Sequence, residues 1–164
     1  MAQEYVDRMM EEKESSGGVI ECRITGVPAG LGDPVFEKLD ANLSKALVSI
    51  GAVKGIEIGD GFAAAHAVGS ENNDSFYINE DGNTAKKTNH AGGILGGISD
   101  GDTIIVRAAV KPTPSIFRPQ QTISRNKEPM ELTIKGRHDP LIVPRAVVVV
   151  EAMCALTIAD SFSI

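Results

Sequence analysis

The chain has 164 residues, enough for one domain with a substantial core, and 42% of them are hydrophobic, as in ordinary globular proteins. Its 16 Lys and Arg against 22 Asp and Glu give a formal net charge of −6, which argues against nonspecific binding to nucleic acid. An anionic ligand is therefore expected to be held by a local cluster of cations and amide groups.

Cysteine content and termini favour an intracellular location. The two cysteines, Cys22 and Cys154, lie in apolar stretches without metal-site spacing, which predicts two buried free thiols in a reducing compartment. No apolar run has the length of a membrane span, and the start of the chain is too charged for a secretory leader. We expect a cytoplasmic protein that binds no membrane.

Hydrophobic periodicity predicts the first two elements. Residues 3–14 are polar with an apolar side, the pattern of an amphipathic helix. Residues 19–24 then alternate, with Ile20, Cys22 and Ile24 on one face, which predicts a half-buried strand.

A second helix is predicted after a turn-rich connection. Asp33 has the character of an N-cap and Pro34 of a first helical residue, and Gly51 is expected to end the helix. A strand over Val53–Ile58 follows. The predicted apolar face of the helix consists of Phe36, Leu39, Leu43, Leu47 and Ile50.

Residues 59–90 contain few apolar positions, and we interpret them as a long excursion with a short hairpin around Phe76–Ile78. Strands are predicted over Thr103–Val110 and Met130–Ile134. The final segment opens at Pro144 and is apolar almost all round, which predicts a helix buried on most faces; its run of valines is equally suited to a strand. The order αβαβ(β)ββα is an α/β pattern without a doubly wound rhythm.

The glycine pairs of residues 89–97 suggest two alternative roles. Bare backbone amides there can approach a flat or phosphorylated ligand, or the turn can serve to pack two backbones together. The segment is not a P-loop, because the Lys and Ser/Thr that should follow directly are absent.

Two further segments combine cations with turn residues. Residues 111–115 (Lys-Pro-Thr-Pro-Ser) directly follow a strand and suit an anion, or are a proline-stiffened exit loop. In Gly136–Pro140, Arg137 can bind a phosphate or carboxylate through two hydrogen bonds, and Asp139 can accept or relay a proton. Alternatively, Arg137 and Asp139 form an ordinary ion pair on the surface. The three histidines, His66, His90 and His138, match no metal pattern, so no metal is expected.

Five signatures together resemble the C-terminal half of the chorismate synthase family. In chain order they are GVPAGLGDPVFEKLDANL from Gly26, GIEIGDGF from Gly55, NHAGGILGGIS from Asn89, KPTPSI from Lys111 and GRHDPLIVPRAVVVVEAM from Gly136. The resemblance runs from about Ser16 to the end. It implies one domain over residues 1–164 and an α/β fold, half of a β-α-β sandwich with helices packed between antiparallel sheets.

The resemblance also implies an activity. Enzymes of this family are lyases of the shikimate pathway, in aromatic amino-acid biosynthesis. They convert 5-enolpyruvylshikimate-3-phosphate into chorismate and phosphate with reduced flavin mononucleotide (FMN). The family is tetrameric, and whether its flavin is reduced externally or by an intrinsic, NADP-linked activity stays open.

Family roles can be carried onto individual residues. The resemblance implies that Arg137 lies beside both flavin and substrate, and that Asp139 handles a proton near the flavin. The other implied flavin-binding residues are Gly51, Ala52, Gly96, Gly97, Lys111, Pro112, Thr113, Pro114 and Ser115.

Part of the family pattern is missing from the sequence. The two catalytic histidines of the family lie in a Gly-Glu-Ser-His-Gly and an Arg-Pro-Gly-His motif, and neither motif occurs here. A flavin-contacting Arg-Ser-Ser-Ala-Arg-Glu-Thr segment is absent too. We therefore expect a C-terminal portion that is inactive alone. It would be part of the enzyme, a non-catalytic half that binds flavin or an anion, or a structural half that needs an N-terminal partner.

Overall fold

The computed structural model describes residues 2–136 and 139–163, and within them a three-stranded antiparallel sheet supports two helices. A 3-10 helix covers Gly61–His66. In chain order the other elements are α1 (Ala2–Glu11), β1 (Gly18–Ile24), α2 (Leu39–Val48), β2 (Val53–Ile58), α3 (Gly69–Asn72), β3 (Phe76–Ile78), β4 (Thr84–Lys86), β5 (Ile94–Leu95), β6 (Ile98–Ser99), β7 (Ile104–Val110), β8 (Gln120–Ile123), β9 (Pro129–Leu132) and α4 (Val143–Ser161).

The sheet has the order β1-β7-β2, with β7 in the centre and antiparallel to both neighbours. Alternate residues of β7 are buried, because one face of the sheet packs on the helices. On β1 the buried side includes Ile20, which lies opposite Ala108. The expected α/β class, with helices packed on an antiparallel sheet, is confirmed.

Helices α2 and α4 both pack on this face. Leu39, Leu43 and Leu47 of α2 recur every four residues, and all three are fully buried. Cys154 lies on the buried stripe of α4 and joins the same aliphatic core.

The predicted start of the second helix is wrong. Helix α2 begins at Leu39, because the preceding chain forms a turn in which the Asp33 amide donates to Glu37 O (3.0 Å), while the Leu39 amide donates to Gly97 O (2.8 Å). A distant carbonyl thus satisfies the first helical N–H in place of a local cap. Phe36, which was assigned to the buried face, is 88% exposed.

The end of α2 also differs from the prediction. The helix ends at Val48, and the left-handed residue that follows is Ala52 (φ 73°) rather than Gly51. A left-handed conformation at a residue with a Cβ costs on the order of 1 kcal/mol and is often found at functional sites.

Helix α4 begins close to the predicted Pro144, but it is not buried on most faces. Only one stripe faces the core, and Val148 (63%) and Leu156 (64%) are exposed on other sides. The apolar residues are spread all round, yet the described chain supplies only one packing surface. The outer face of α4 is therefore apolar and uncovered.

The described residues also form three small hairpins, which are β3-β4, β5-β6 and β8-β9. The predicted hairpin at Phe76–Ile78 is confirmed, since β3 pairs with β4. The strand predicted over Met130–Ile134 lies earlier, at β9, and pairs with β8, for which the sequence analysis predicts no strand. No helix in the described ranges has both the length and the apolar composition that crossing a bilayer requires.

The start of α2 can be tested with two substitutions on its predicted face. Leu43→Ala is expected to lower the free energy of unfolding by about 2–5 kcal/mol, because it leaves a cavity in the core. Phe36→Ala is expected to change it by less than about 0.5 kcal/mol, because the ring is exposed. Urea denaturation measures both. Comparable losses at the two positions would restore Phe36 to the buried face.

Candidate functional site

The glycine-rich loop of residues 89–97 is pressed against the end of β2. A Cβ on Gly59 would lie 2.1 Å from His90 O, and a Cβ on Gly92 would lie 2.4 Å from Gly59 N. Both glycines have positive φ, at 58° and 66°. Neither position can hold a side chain, so this part of the motif serves backbone packing.

The second glycine pair divides into two roles. A Cβ on Gly97 would lie 2.5 Å from the Lys38 side chain, and Gly97 O accepts the first amide of α2, so Gly97 is explained by packing. At Gly96 (φ 61°) a Cβ would meet no described atom within 4 Å. Of the pair, Gly96 alone presents bare backbone to open space, as a ligand contact requires.

A buried lysine contacts the first residue of this loop. Lys86, whose side chain is 3% exposed, places Nζ 2.7 Å from Asp100 Oδ2 and 3.0 Å from Asn89 Oδ1. Asp74 and Asp102 lie further out, with Oδ2 at 3.8 and 3.7 Å from Nζ. The ammonium thus joins β4 to the start of the glycine-rich loop and to Asp100, three residues after its end.

Asp74 holds the same loop through its backbone. Its carboxylate accepts hydrogen bonds from the amides of His90 (2.8 Å) and Ala91 (3.0 Å) and from the Thr88 hydroxyl (2.7 Å). Burial raises the pKa of Asp74, but these bonds and the Lys86 charge outweigh it, so the pKa is lowered overall. Because the folded pKa is depressed, the stabilisation is present above the unfolded pKa of about 3.9 and is lost as the pH falls through the folded value.

His90 also pairs with Asp60, directly after the Gly59 contact. Its Nδ1 lies 2.6 Å from Asp60 Oδ2, and the Asp60 amide donates to His90 O at 2.8 Å. Within the described ranges no group of three or more His, Cys, Asp or Glu residues could hold a metal ion, and His138 lies outside these ranges.

A second region lies at the opposite end of the sheet. The Lys111 amide donates to Ala52 O (2.9 Å), so the structure brings two predicted flavin segments together where β7 ends and β2 begins. A Cβ on Gly51 would meet nothing among the described residues within 4 Å. Gly51 therefore presents open backbone beside the exposed Lys111, whereas the left-handed Ala52 is half-buried and its carbonyl is bonded to the Lys111 amide.

Thr113, in the same segment, has a hydroxyl group without a partner. Its Oγ1 is buried and makes no hydrogen bond to any part of the chain that the structure describes. The Thr113 carbonyl accepts a bond from Ser15 Oγ (2.6 Å), which fixes the segment against the residues after α1. A buried hydroxyl left unpaired costs about 1–3 kcal/mol, and a bound polar ligand would remove that cost.

Ser115 and Asp139 line one cleft of about 100 Å³ beside the end of α1, together with Met9 and Lys13. Asp139 Oδ2 accepts a hydrogen bond from Arg145 Nη1 (2.7 Å), so its carboxylate is oriented by the first turn of α4. Arg137, the predicted substrate contact, lies outside the described residues.

The predicted flavin residues thus form two groups. Gly51, Ala52 and residues 111–115 lie at one end of the sheet, and Gly96–Gly97 lie at the other, beside the start of α2. The six residues of β2 separate the two ends by roughly 20 Å. These assignments stay predictions, and only the first group forms a compact set of contacts.

Sequence reasoning missed the residues that organise the loop. Lys86, Asp74 and Asp100 lie in polar stretches that resemble solvated loops, and the ion pairs of Lys86 with the two aspartates span 12 and 14 positions. The available signal was the asparagine that opens the glycine motif, since Asn side chains often cap turns. Asn89 Oδ1 indeed accepts the Gly93 amide at 2.8 Å.

Comparisons with known proteins identify the family. The chorismate synthase family model matches residues 1–163. A chorismate synthase of Agathobacter rectalis is 64% identical over 160 residues, and one of Methanocaldococcus jannaschii is 56% identical over 159 residues. A crystal structure of chorismate synthase superposes with a TM-score of 0.78 at 35% identity, covering 97% of this chain and 40% of that one. The chain belongs to the chorismate synthase family.

The alignments with these relatives cover nearly all of this chain but only part of each relative. The alignments cover 98% of this chain but 43% of the Agathobacter protein, and 96% of this chain but 42% of the Methanocaldococcus protein. The chain therefore spans less than half the length of the curated relatives it matches.

The buried lysine can be tested against its exposed neighbour. Lys86→Met is expected to lower the free energy of unfolding by about 3–5 kcal/mol, because it leaves buried carboxylates without their cation. Lys87→Met, one position along, removes an exposed charge and is expected to cost less than about 0.5 kcal/mol. Urea denaturation at neutral pH compares the two variants. Equal, small losses would show that Lys86 is solvated and that the loop is held by its glycines alone.

Proposed function

We propose that this chain forms part of a chorismate synthase. Such an enzyme is a lyase of the shikimate pathway that converts 5-enolpyruvylshikimate-3-phosphate to chorismate and phosphate. The observation that carries the proposal is the family match over residues 1–163, with relatives above 50% identity in both bacteria and archaea. The partial coverage of those relatives is the reason that the activity is proposed for an assembled enzyme rather than for the isolated chain.

The proposed cofactor is reduced FMN, and the described residues fit it at one end of the sheet. The open backbone at Gly51, the Lys111 cation and the unpartnered Thr113 hydroxyl suit a phosphate-bearing, planar ligand. We assign residues 111–115 and Gly51–Ala52 as the principal flavin-binding group, with Gly96 as a separate backbone contact. When bound, reduced FMN supplies transient electron density for the elimination of phosphate.

The chain's own charged residues have distinct proposed roles. Arg137 would form a bidentate ion pair with the phosphate or carboxylate of the substrate, since a guanidinium matches both geometries. Asp139 would accept or return a proton within the cleft that it shares with Ser115. Arg145 fixes the orientation of that carboxylate through the 2.7 Å contact.

A second candidate is a structural half that does no chemistry by itself. The exposed apolar side of α4, with Val148 and Leu156 more than 60% exposed, favours this role because such a face is usually covered in the assembled protein. A tetramer, a cytoplasmic location and the source of the flavin's electrons (external or NADP-linked) belong to the same proposal as family expectations.

Chorismate formation by a reconstituted enzyme tests the proposal. The purified chain with reduced FMN and substrate is expected to give no measurable turnover, because each missing proton-transfer group contributes about 10²–10⁴-fold. Adding the remaining N-terminal portion of the Agathobacter relative as a separate polypeptide is expected to restore chorismate formation, followed by its absorbance.

Two arginine variants make the reconstitution specific. Arg137→Lys is expected to lower turnover at least about tenfold, because lysine cannot form the planar bidentate pair. Arg125→Lys, on the exposed turn between β8 and β9, is the matched control and should leave turnover unchanged. Steady chorismate formation by the isolated chain would contradict the assignment. So would a reconstituted complex that forms but has no activity.

A further inference from the structure

The two thiols of the chain face each other across the contact between β1 and α4. Cys22 and Cys154 are the only cysteines in the sequence, and both are free. Cys22 is half-buried on the side of β1 that faces the helices, beside Ile20. Cys154 is 1% exposed, in the middle of the buried stripe of α4.

The first residues of β1 and α4 lie in contact, and Cys22 and Cys154 lie at similar distances along the two elements from that contact. The chain runs parallel at the isolated bridge between Ser16 and Leu141, and a Cβ on Gly18 would lie 3.1 Å from Val143 Cγ2. From that contact, Cys22 lies four strand residues further along, or about 13 Å, and Cys154 eleven helical residues further along, or about 16 Å. The distances of the two cysteines from that contact thus differ by less than the length of one helical turn.

The thiols also interact chemically. Burial raises the pKa of Cys154 to about 12, and the charge and hydrogen bond of the neighbouring Cys22 thiol act in the same direction. Cys154 is therefore held as a neutral thiol in contact with Cys22. Because thiolate is the reactive form, the more exposed Cys22 is the thiol that an external reagent meets first.

We propose that Cys22 and Cys154 form a thiol-oxidation site, which a low-molecular-weight disulfide converts into a covalent cross-link between β1 and α4. The Cys22 thiolate attacks the reagent disulfide, forms a mixed disulfide and expels one thiolate. The expelled thiolate takes the proton of Cys154, and the Cys154 sulfur then attacks the Cys22 sulfur and expels the second thiolate. The two protein thiols lose two electrons and two protons, and the reagent disulfide is reduced to two thiols.

The cross-link has a definite mechanical consequence. It closes a loop of about 130 residues and ties α4 to the first strand of the sheet, so it restricts the unfolded chain strongly. The apolar outer side of α4 is left unchanged. Neither cysteine belongs to the proposed flavin or substrate contacts, so this inference does not depend on the proposed function.

Oxidation of the native chain tests the site. The folded protein is incubated with glutathione disulfide, and intact mass spectrometry under non-reducing conditions is expected to show a loss of about 2 Da, without a retained glutathione. Peptide mapping should identify a Cys22–Cys154 linkage. The midpoint of thermal unfolding is expected to rise by roughly 10 °C and to return to its starting value after reduction.

Single-cysteine variants provide the controls. Cys22→Ala and Cys154→Ala should each prevent the loss of mass, and Cys22→Ala should also prevent glutathione addition in the folded state. Addition of one glutathione to Cys22 that never resolves would overturn the proposal, because it would mean that Cys154 cannot reach it. Cross-linking only in urea, or only between two chains, would overturn it as well.

Discussion

The backbone contact between Gly59 and Gly92 is the constraint on which the rest of this structure depends. It leaves no room for a side chain at either position, so it joins the end of β2 to the glycine-rich loop at a distance only bare backbone allows. The Asp60–His90 pair and the carboxylate of Asp74 then hold the loop in place. From this loop the Gly97 carbonyl reaches Leu39, where α2 and the aliphatic core begin.

A buried charge network also holds the glycine-rich loop that makes this contact. Lys86 neutralises part of the charge of Asp74 and Asp100, and all three side chains are withdrawn from solvent. Such a network adds little to net stability compared with an apolar core, but it fixes one arrangement of loop and hairpin, since removing a single member leaves a charge unpaired. The glycines and the network together explain how a region with few apolar residues is held.

Several features of the fold could be predicted because they depend on local pattern. Alternation identified β1, and four-residue spacing identified the buried leucines of α2. The start of α2 could not be predicted, because a carbonyl 58 positions away caps the helix and overrides the local Asp33-Pro34 signal. The faces of α4 were also misassigned, since a helix that is apolar all round does not reveal which side this chain covers.

One contact at the candidate site follows from the order of the strands, but the buried charges near the glycine motif do not follow from the sequence. Residues 111–115 and Gly51–Ala52 do meet, because β7 and β2 are neighbours in the sheet. Backbone packing explains Gly92 and Gly97 of the glycine motif, and a ligand contact stays a prediction for Gly96, which faces open space. Lys86 could not be found, because nothing in a polar sequence distinguishes a buried lysine from a solvated one.

The most direct test of this account is the stability of a Gly59→Ala variant, measured by urea denaturation alongside Gly69→Ala. At Gly69 a Cβ meets nothing among the described residues and φ is not positive, so that variant should be nearly neutral. Gly59→Ala is expected to lose about 3 kcal/mol or more, from the left-handed backbone and the clash with His90 O together. Amide hydrogen exchange should also accelerate across residues 90–97. A Gly59→Ala protein as stable as Gly69→Ala, with unchanged exchange in that loop, would contradict the account.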